Sequence, residues 1–180
     1  MRASGKPPLK TTRAFSRDQL AKLAALELPG LVKTVRKLDE AFLDLGYQLL
    51  DPPIRIQLTA QPCLRCLPMR LDRWQAETDA LKLTIPPDLR DRAETELEIE
   101  QIAIGGSPAI ATHQVAFTPG DPPVYDHAVS VYWNDSVNEL RVTAAFAGTV
   151  SSRDALTTAV TRAELEQVAV AVLDRHAQSL

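Results

Sequence analysis

The feature that most limits the fold is a pair of alternating segments in the last third of the chain. Apolar and polar residues alternate through both, which is typical of strands that bury one face. Residues 134–139 between them are few and mostly polar, so the two segments are predicted to pair as an antiparallel hairpin. The residues on the two buried faces are Tyr125, His127, Val129, Val131 and Trp133, followed by Leu140, Val142, Ala144 and Phe146.

Earlier stretches of the chain also carry strand patterns. The predicted strands are Ile54–Ala60, Leu81–Ile85, Leu97–Ile104 and Ala109–Phe117. The apolar phase changes within the third of these, so a bulge is predicted near Glu100. A short helix is predicted over Met69–Ala80, and a helical turn over Asp88–Glu94.

Capping signals predict helices at both ends of the chain. Ser16 and Gln19 have the spacing of a capping box, and the helix that they begin should run to about Glu27. Thr161 and Glu164 repeat that spacing, so a helix is predicted over 161–176. A further helix is predicted over Leu31–Leu45 because its apolar residues recur at intervals of three and four: Leu31, Val35, Leu38, Phe42 and Leu45.

Strands in succession with helices at the ends predict an α+β fold. We expect a mostly antiparallel sheet of about five strands, with two N-terminal helices and one C-terminal helix packed on it. Residues 1–14 are predicted to be a flexible basic tail, and 15–180 a single domain. No apolar run is long enough to cross a bilayer, and two cysteines three positions apart favour a reducing compartment. We therefore expect a soluble cytoplasmic protein without membrane contacts.

The Cys63-Leu64-Arg65-Cys66 motif directly follows a predicted strand, and this spacing lets two thiols form a redox-active disulfide. Together with Ser107-Pro108 before a later strand and a capped C-terminal helix, this layout resembles the thioredoxin fold. The resemblance implies that Cys63 and Cys66 are a redox dithiol faced by Pro108. The residue before Cys63 is not aromatic, and Pro68 interrupts the helix that would follow the motif in that family.

The same cysteines also allow two other interpretations. Zinc needs three or four ligands, and His113 and His127 on neighbouring predicted strands could complete a set with Cys63 and Cys66. Alternatively both thiols are ordinary, partly buried side chains without chemistry. The three interpretations stay open on the sequence, and zinc is the one cofactor that it raises.

Positive charge is concentrated at the N-terminal end of the chain. Residues 1–37 contain nine lysines and arginines but two acids, whereas the remainder carries a net charge of −10. Such an asymmetry is consistent with an anionic partner, or with a solvated basic tail and solvated helix faces. The contacts that an anionic partner would use are Lys10, Arg13, Arg17, Lys22, Lys33, Arg36 and Lys37.

The sequence contains no phosphate-binding glycine loop, and no nucleophile lies in a recognisable catalytic motif. We therefore expect a non-enzymatic intracellular protein that acts by binding a macromolecule, in particular another protein. The alternative function is that of a thiol–disulfide oxidoreductase or a small zinc-binding protein centred on Cys63 and Cys66.

Overall fold

A computed structural model describes residues 13–63, 65–84, 94–118, 124–148, 150 and 152–180. Its strands follow one another in two groups, with helices before, between and after them, as expected for an α+β protein. In chain order they are α1 (Arg17–Ala25), β1 (Val32–Leu38), β2 (Leu43–Leu50), β3 (Pro53–Pro62), α2 (Leu71–Thr84), β4 (Glu94–Ile104), β5 (Ser107–Thr118), β6 (Val124–Asn134), β7 (Asn138–Phe146), α3 (Arg153–Ala159) and α4 (Arg162–Ala177).

The strands form one sheet in the order β1-β2-β3-β7-β6-β5-β4, and every neighbouring pair is antiparallel. The α+β class and the antiparallel sheet are thus confirmed. The numbers differ from the prediction, since the described residues contain seven strands and four helices. Most of the predicted tail, residues 1–12, lies outside the described residues.

The hairpin predicted from the alternating segments is confirmed as β6 and β7. Val131 lies opposite Val142, and both side chains are fully buried. The turn is held by Asp135, whose carboxylate accepts hydrogen bonds from the backbone N–H groups of Val137 and Asn138 at 2.9 and 2.7 Å.

Both capping boxes are confirmed at the starts of α1 and α4. The Ser16 hydroxyl accepts from the backbone of Gln19, and the Gln19 side chain accepts from the backbone of Ser16. Thr161 and Glu164 make the equivalent pair of bonds. These bonds satisfy backbone N–H groups that have no partner within a helix, which is why the signal is visible in the sequence.

The helix predicted over Leu31–Leu45 is wrong, because this stretch forms β1, a turn and the start of β2. Its apolar residues fit a helical period by coincidence, since they come from two different strands. Buried residues in β2 instead alternate with a period of two: Leu43, Leu45 and Tyr47. Pairing with β3 buries that alternating face, and this tertiary gain outweighs the local helical pattern.

The strand predicted over Leu81–Ile85 is also wrong as far as it is described. Helix α2 extends to Thr84, so it contains the helix expected over Met69–Ala80 from Leu71 onward and continues through Leu81. Leu81 is 60% exposed, so the apparent alternation does not mark a buried face. The helical turn expected over Asp88–Glu94 lies outside the described residues except for Glu94, which begins β4.

No bulge occurs near Glu100, because the register between β4 and β5 is continuous from Glu94 to Ile104. The change of apolar phase has another cause. One face of β4 begins with glutamates and ends with Ile102 and Ile104. Arginines of α3 and α4 pair with the glutamates, whereas Ile104 is buried.

The hydrophobic core lies between the sheet and α1 and α4. Leu165, Ala169 and Leu173 of α4 are fully buried in it. Helix α2 lies on the opposite face, where the backbone N–H of Leu71 donates to Gln101 of β4. Within the described part of the chain, no helix has the length and apolar character needed to span a membrane.

Candidate functional site

The sheet has one face that is only partly covered. Helix α2 lies against β4 and reaches β6, where the rings of Trp74 and Tyr132 are 4.6 Å apart. Over β1, β2, β3 and β7 the same side is accessible to solvent. We call this surface the open face; its outward residues include Thr34, Gly46, Gln48, Arg55, Gln57, Thr59, Arg141 and Thr143, and those that are exposed are Thr34, Gln48, Arg55, Gln57 and Arg141. The side chain of Arg36 belongs to the same surface, because its guanidinium lies over Gly46.

The open face arises directly from the alternation of β3. Ile54, Ile56 and Leu58 point into the core, so the residues between them must point the other way. Pairing then aligns Gln57 with Gly46 of β2 and with Thr143 of β7. Polar side chains from adjacent strands therefore form one continuous surface.

Neutral amides hold the acids on this side of the sheet. The Gln57 side chain donates to both carboxylate oxygens of Asp44 at 3.2 Å. The Gln61 side chain donates to Glu139 at 2.5 Å. A glutamine amide carries no charge, and among the described residues neither Asp44 nor Glu139 forms an ion pair with an arginine.

Four arginines on or beside the open face have no ion pair with any acid in the described part of the chain: Arg36, Arg55, Arg65 and Arg141. The guanidinium of Arg36 lies over Gly46, where a Cβ atom would be only 2.8 Å from its Nε atom. The guanidinium of Arg141 lies over the ring of Tyr132, 5.0 Å from its centre. The other described cations without such pairs are on the N-terminal segment or on helices: Arg13, Lys22, Arg73 and Arg175.

A small cavity of about 170 Å³ adjoins the open face beside the cysteine loop. Its lining combines charged, amide and aromatic groups, among them Thr59, Gln61, Arg65, Trp74, Glu139 and Arg141. Small-molecule sites usually have volumes of about 300–1,000 Å³. This cavity is therefore better matched to one side chain of a partner than to a metabolite or cofactor.

Cys63 and Cys66 form a disulfide in an irregular loop after β3. The backbone N–H of Cys63 donates to Val137 at 2.8 Å, and its sulfur lies 3.8 Å from the Glu139 carboxylate. Helix α2 begins at Leu71, so no helix N-terminus lies at the motif. A carboxylate beside the sulfur and the lack of a helix N-terminus both disfavour a reactive thiolate.

Pro108 lies near the start of β5, at the same end of the sheet as the disulfide. Strands β7 and β6 separate β3 from β5, which corresponds to about 14 Å between the two backbones. The structure therefore does not place Pro108 against the cysteines as the thioredoxin resemblance implies.

The two histidines of the suggested zinc site lie together, but far from the cysteines. Their Nε2 atoms are 2.8 Å apart on neighbouring positions of β5 and β6. His127 is aligned through β7 with Ile54, at the opposite end of β3 from Cys63, roughly 30 Å away along the strand. No group of three or more metal-binding side chains occurs among the residues that the structure describes.

Three of the six predicted N-terminal cations within the described ranges form ion pairs inside the chain. Arg17 pairs with Glu40, Lys33 with Glu27 and Lys37 with Asp39. Lys33 also donates to two backbone carbonyls at the end of α1. Arg13 and Lys22 are exposed, Arg36 belongs to the open face, and Lys10 lies outside the described residues.

The sequence interpretation missed Arg55, Arg65 and Arg141. Arg55 lies on the polar side of the strand predicted over Ile54–Ala60, and such residues usually face solvent without a function. The feature that indicates a binding surface is an arginine on a strand whose neighbouring acids, Asp44 and Glu139, are bound by glutamines. That combination depends on the strand order.

The fold and this surface define an α+β protein with a partly uncovered antiparallel sheet. Comparisons with protein-family models, with curated proteins and with solved structures find no match.

Proposed function

We propose that this chain is a non-enzymatic cytoplasmic binding protein that receives a protein partner on its open face. The single observation that supports the proposal most directly is the exposure of one polar face across four adjacent strands. These strands are spaced by about 4.8 Å, so the surface is about 20 Å wide. A surface of this width suits an extended segment or the side of another protein.

The groups on the surface also favour a macromolecule. Glutamine, threonine and arginine side chains offer many hydrogen-bond donors over a flat area, and the adjoining cavity can accept one anchoring side chain. Interfaces between proteins are typically polar at the rim and depend on a few buried anchors. The open face and its cavity provide both elements.

A photoreactive amino acid at position 57 tests the proposal. We expect benzoylphenylalanine in place of Gln57 to form a discrete crosslink to another protein in cells of the native host, because this position lies at the centre of the open face. The measurement is a mass-shifted band, identified by mass spectrometry.

The matched control carries the same amino acid at Ala163, which is exposed on α4 at the other side of the sheet. Crosslinking at position 163 that equals crosslinking at position 57 would count against a specific binding face. Discrete crosslinks at 57 alone support the proposal.

The alternative function, a thiol–disulfide oxidoreductase, is favoured by one observation, the disulfide between Cys63 and Cys66. Arg65 is exposed between the two cysteines, so the loop is accessible to another protein. Against this, Glu139 lies beside Cys63, and no helix begins at the motif. The binding function is therefore the better supported of the two.

Replacing both cysteines by serine separates these functions. We expect Cys63→Ser with Cys66→Ser to lower the free energy of unfolding by about 2 kcal/mol or less, because a disulfide across so short a loop restrains the unfolded chain only weakly. Crosslinking from position 57 should persist in this variant. Urea unfolding and the crosslinking assay measure the two effects.

Iodoacetamide labelling of the reduced protein against pH completes that test. An ordinary cysteine thiol ionises near pH 8.5, so we expect little labelling at neutral pH. Rapid labelling well below that value, with loss of a disulfide-reductase activity in the serine variant, would replace the binding proposal by the oxidoreductase function.

A further inference from the structure

We propose that the open face binds an acidic, extended segment of the partner protein through Arg36, Arg55 and Arg141. This inference rests on the proposed binding function and adds the chemistry of the partner. It keeps Arg36 from the anionic-partner contacts predicted within residues 1–37 and adds Arg55 and Arg141 from outside that range.

The state of the arginines is the first argument. Arginines on the helices and beside them can meet carboxylates directly, as Arg162 of α4 does with Glu98 at 2.5 Å and with Glu100 at 2.8 Å. On the open face the available carboxylates of Asp44 and Glu139 bind glutamine amides instead. The guanidinium groups thus keep their donors for an external anion, and a planar guanidinium matches a carboxylate in a two-point contact.

The spacing of the arginines is the second argument. Arg55 precedes Gln57 by two residues on β3, and Arg141 lies opposite Thr59 on β7. Arg55 and Thr59 are four residues apart on β3, so Arg55 and Arg141 are separated by about 14 Å along the strand direction. An extended segment places side chains i and i+4 on one side at the same separation. Two acidic residues at that interval would therefore reach both arginines at once.

Arg36 adds a third cation between those two positions. Its guanidinium lies over Gly46, which pairs with Gln57 at the centre of the surface. The absence of a side chain at position 46 leaves the space that the guanidinium occupies. The three cations thus surround Gln57.

An apolar rim next to these cations indicates that the partner segment also carries apolar residues. Val32 is 60% exposed and Leu50 is 70% exposed, and both lie on the open-face side of β1 and β2. Burying these two side chains against a partner would remove apolar surface from water, which favours association. A segment with apolar residues flanking its acids would contact both groups.

Two other occupants fit the surface less well. A second copy of the chain would bring the same arginines together, which like-charge repulsion opposes. Single-stranded nucleic acid usually stacks its bases on accessible aromatic rings. The ring of Tyr132 beside this surface already contacts Trp74 and Arg141.

Fluorescence anisotropy with defined probes tests the inference. The main probe is a fluorescein-labelled peptide that alternates glutamate and threonine and has leucine at both ends. Its counterpart has lysine in place of glutamate, and the third probe is an oligothymidylate of equal charge. We expect the acidic peptide to bind at low salt and to weaken as salt is raised, whereas the lysine peptide should not bind.

Arginine variants locate the site. We expect Arg55→Gln with Arg141→Gln to weaken binding of the acidic peptide by about tenfold, since each exposed charge pair contributes modestly. The matched control, Arg175→Gln on α4, should change the affinity by less than about twofold. In the charge-reversed variant, Arg55→Glu with Arg141→Glu, the lysine peptide should now bind.

Three results would overturn the inference. They are no binding of the acidic peptide at low salt, an equal loss of affinity in the Arg175 control, or tighter binding of the oligothymidylate than of the peptide. Crosslinks from position 57 that persist unchanged in the arginine variants would retain the binding function and reject only its acidic partner. Thermal melting of each variant verifies that the fold is intact.

Discussion

Replacing Val131 by Asp is expected to lower the free energy of unfolding by more than about 3 kcal/mol, because the new carboxylate would be buried without a partner. Val131 is fully buried in the middle of β6, between Ala111 of β5 and Val142 of β7. The loss is measured by urea unfolding at neutral pH. If the total stability is near the usual 5–15 kcal/mol, such a loss removes about a fifth of it or more, and the variant should unfold at a clearly lower urea concentration.

Val124 provides the matched control on the same strand. It is 51% exposed, so Val124→Asp leaves the charge in water and should change stability by about 0.5 kcal/mol or less. A Val131→Asp variant that unfolds at the same urea concentration as the Val124→Asp variant would show that the core assignment of β6 is wrong.

Acid sensitivity is the second large effect that we expect, and it originates from the three histidines. Burial lowers the pKa of His176. In the neutral ring Nδ1–H donates to the Val172 carbonyl at 2.7 Å, so Nε2 accepts from the Tyr47 hydroxyl at 3.1 Å. Burial and the positive charge of Arg162 lower the pKa of His113, although Glu96, Glu98 and Glu100 oppose this. Burial and the neighbouring His113 lower the pKa of His127.

These lowered pKa values fix the sign of the pH dependence. The unfolded chain takes up protons near pH 6.5, whereas the folded chain keeps its histidines neutral to lower pH. Stability is therefore full above pH 6.5 and falls as the pH decreases towards the folded-state values. There is a pH range in which His127 and His176 are protonated in the unfolded chain but neutral in the folded protein. In that range each of them lowers the free energy of unfolding by about 1.4 kcal/mol per pH unit of acidification. Urea unfolding between pH 7.5 and about pH 5 measures this slope.

Replacing the hydrogen-bonded pair gives the control for this prediction. His113→Gln with His127→Gln should reduce the slope by about half, because His176 is then the only histidine that stays neutral in the folded protein. Glu166 acts in the opposite direction, since burial raises the pKa of its carboxyl and the folded protein takes up that proton first. A stability that stays constant from pH 7.5 to 5 would contradict the burial of His127 and His176.

Local signals in the sequence predicted the secondary structure correctly where capping or hydrophobic alternation fitted only one kind of element. The capping boxes at Ser16 and Thr161 and the alternation in β3, β6 and β7 all predicted the observed elements. The stretch 31–45 failed because its residues satisfy a helical period and a strand period at once. Which one forms depends on pairing between β2 and β3, which begins at Pro53 just after β2 ends, and the period of the stretch 31–45 does not contain that partner.

The candidate site could be predicted only in part for the same reason. The alternation of β3 shows that Arg55 and Gln57 leave the core, but not what covers them. Coverage depends on α2 lying against β4 and beside Tyr132, and on β7 inserting next to β3. The cysteine motif was visible in the sequence, whereas the carboxylate of Glu139 beside it comes from a strand 76 residues away.

The pairing of β3 with β7 has a consequence for synthesis on the ribosome. The sheet consists of two meanders, β1–β3 and β4–β7, and β3 meets its second neighbour only when residues 138–146 have been made. Until then one side of β3 is an unpaired edge with alternating apolar residues, the kind of segment that aggregates. Helix α4, which packs over β6, β7 and β3, is made later still. The nascent chain thus exposes the unpaired edge of β3 until β7 has been made. The last described helix then covers the junction of the two meanders.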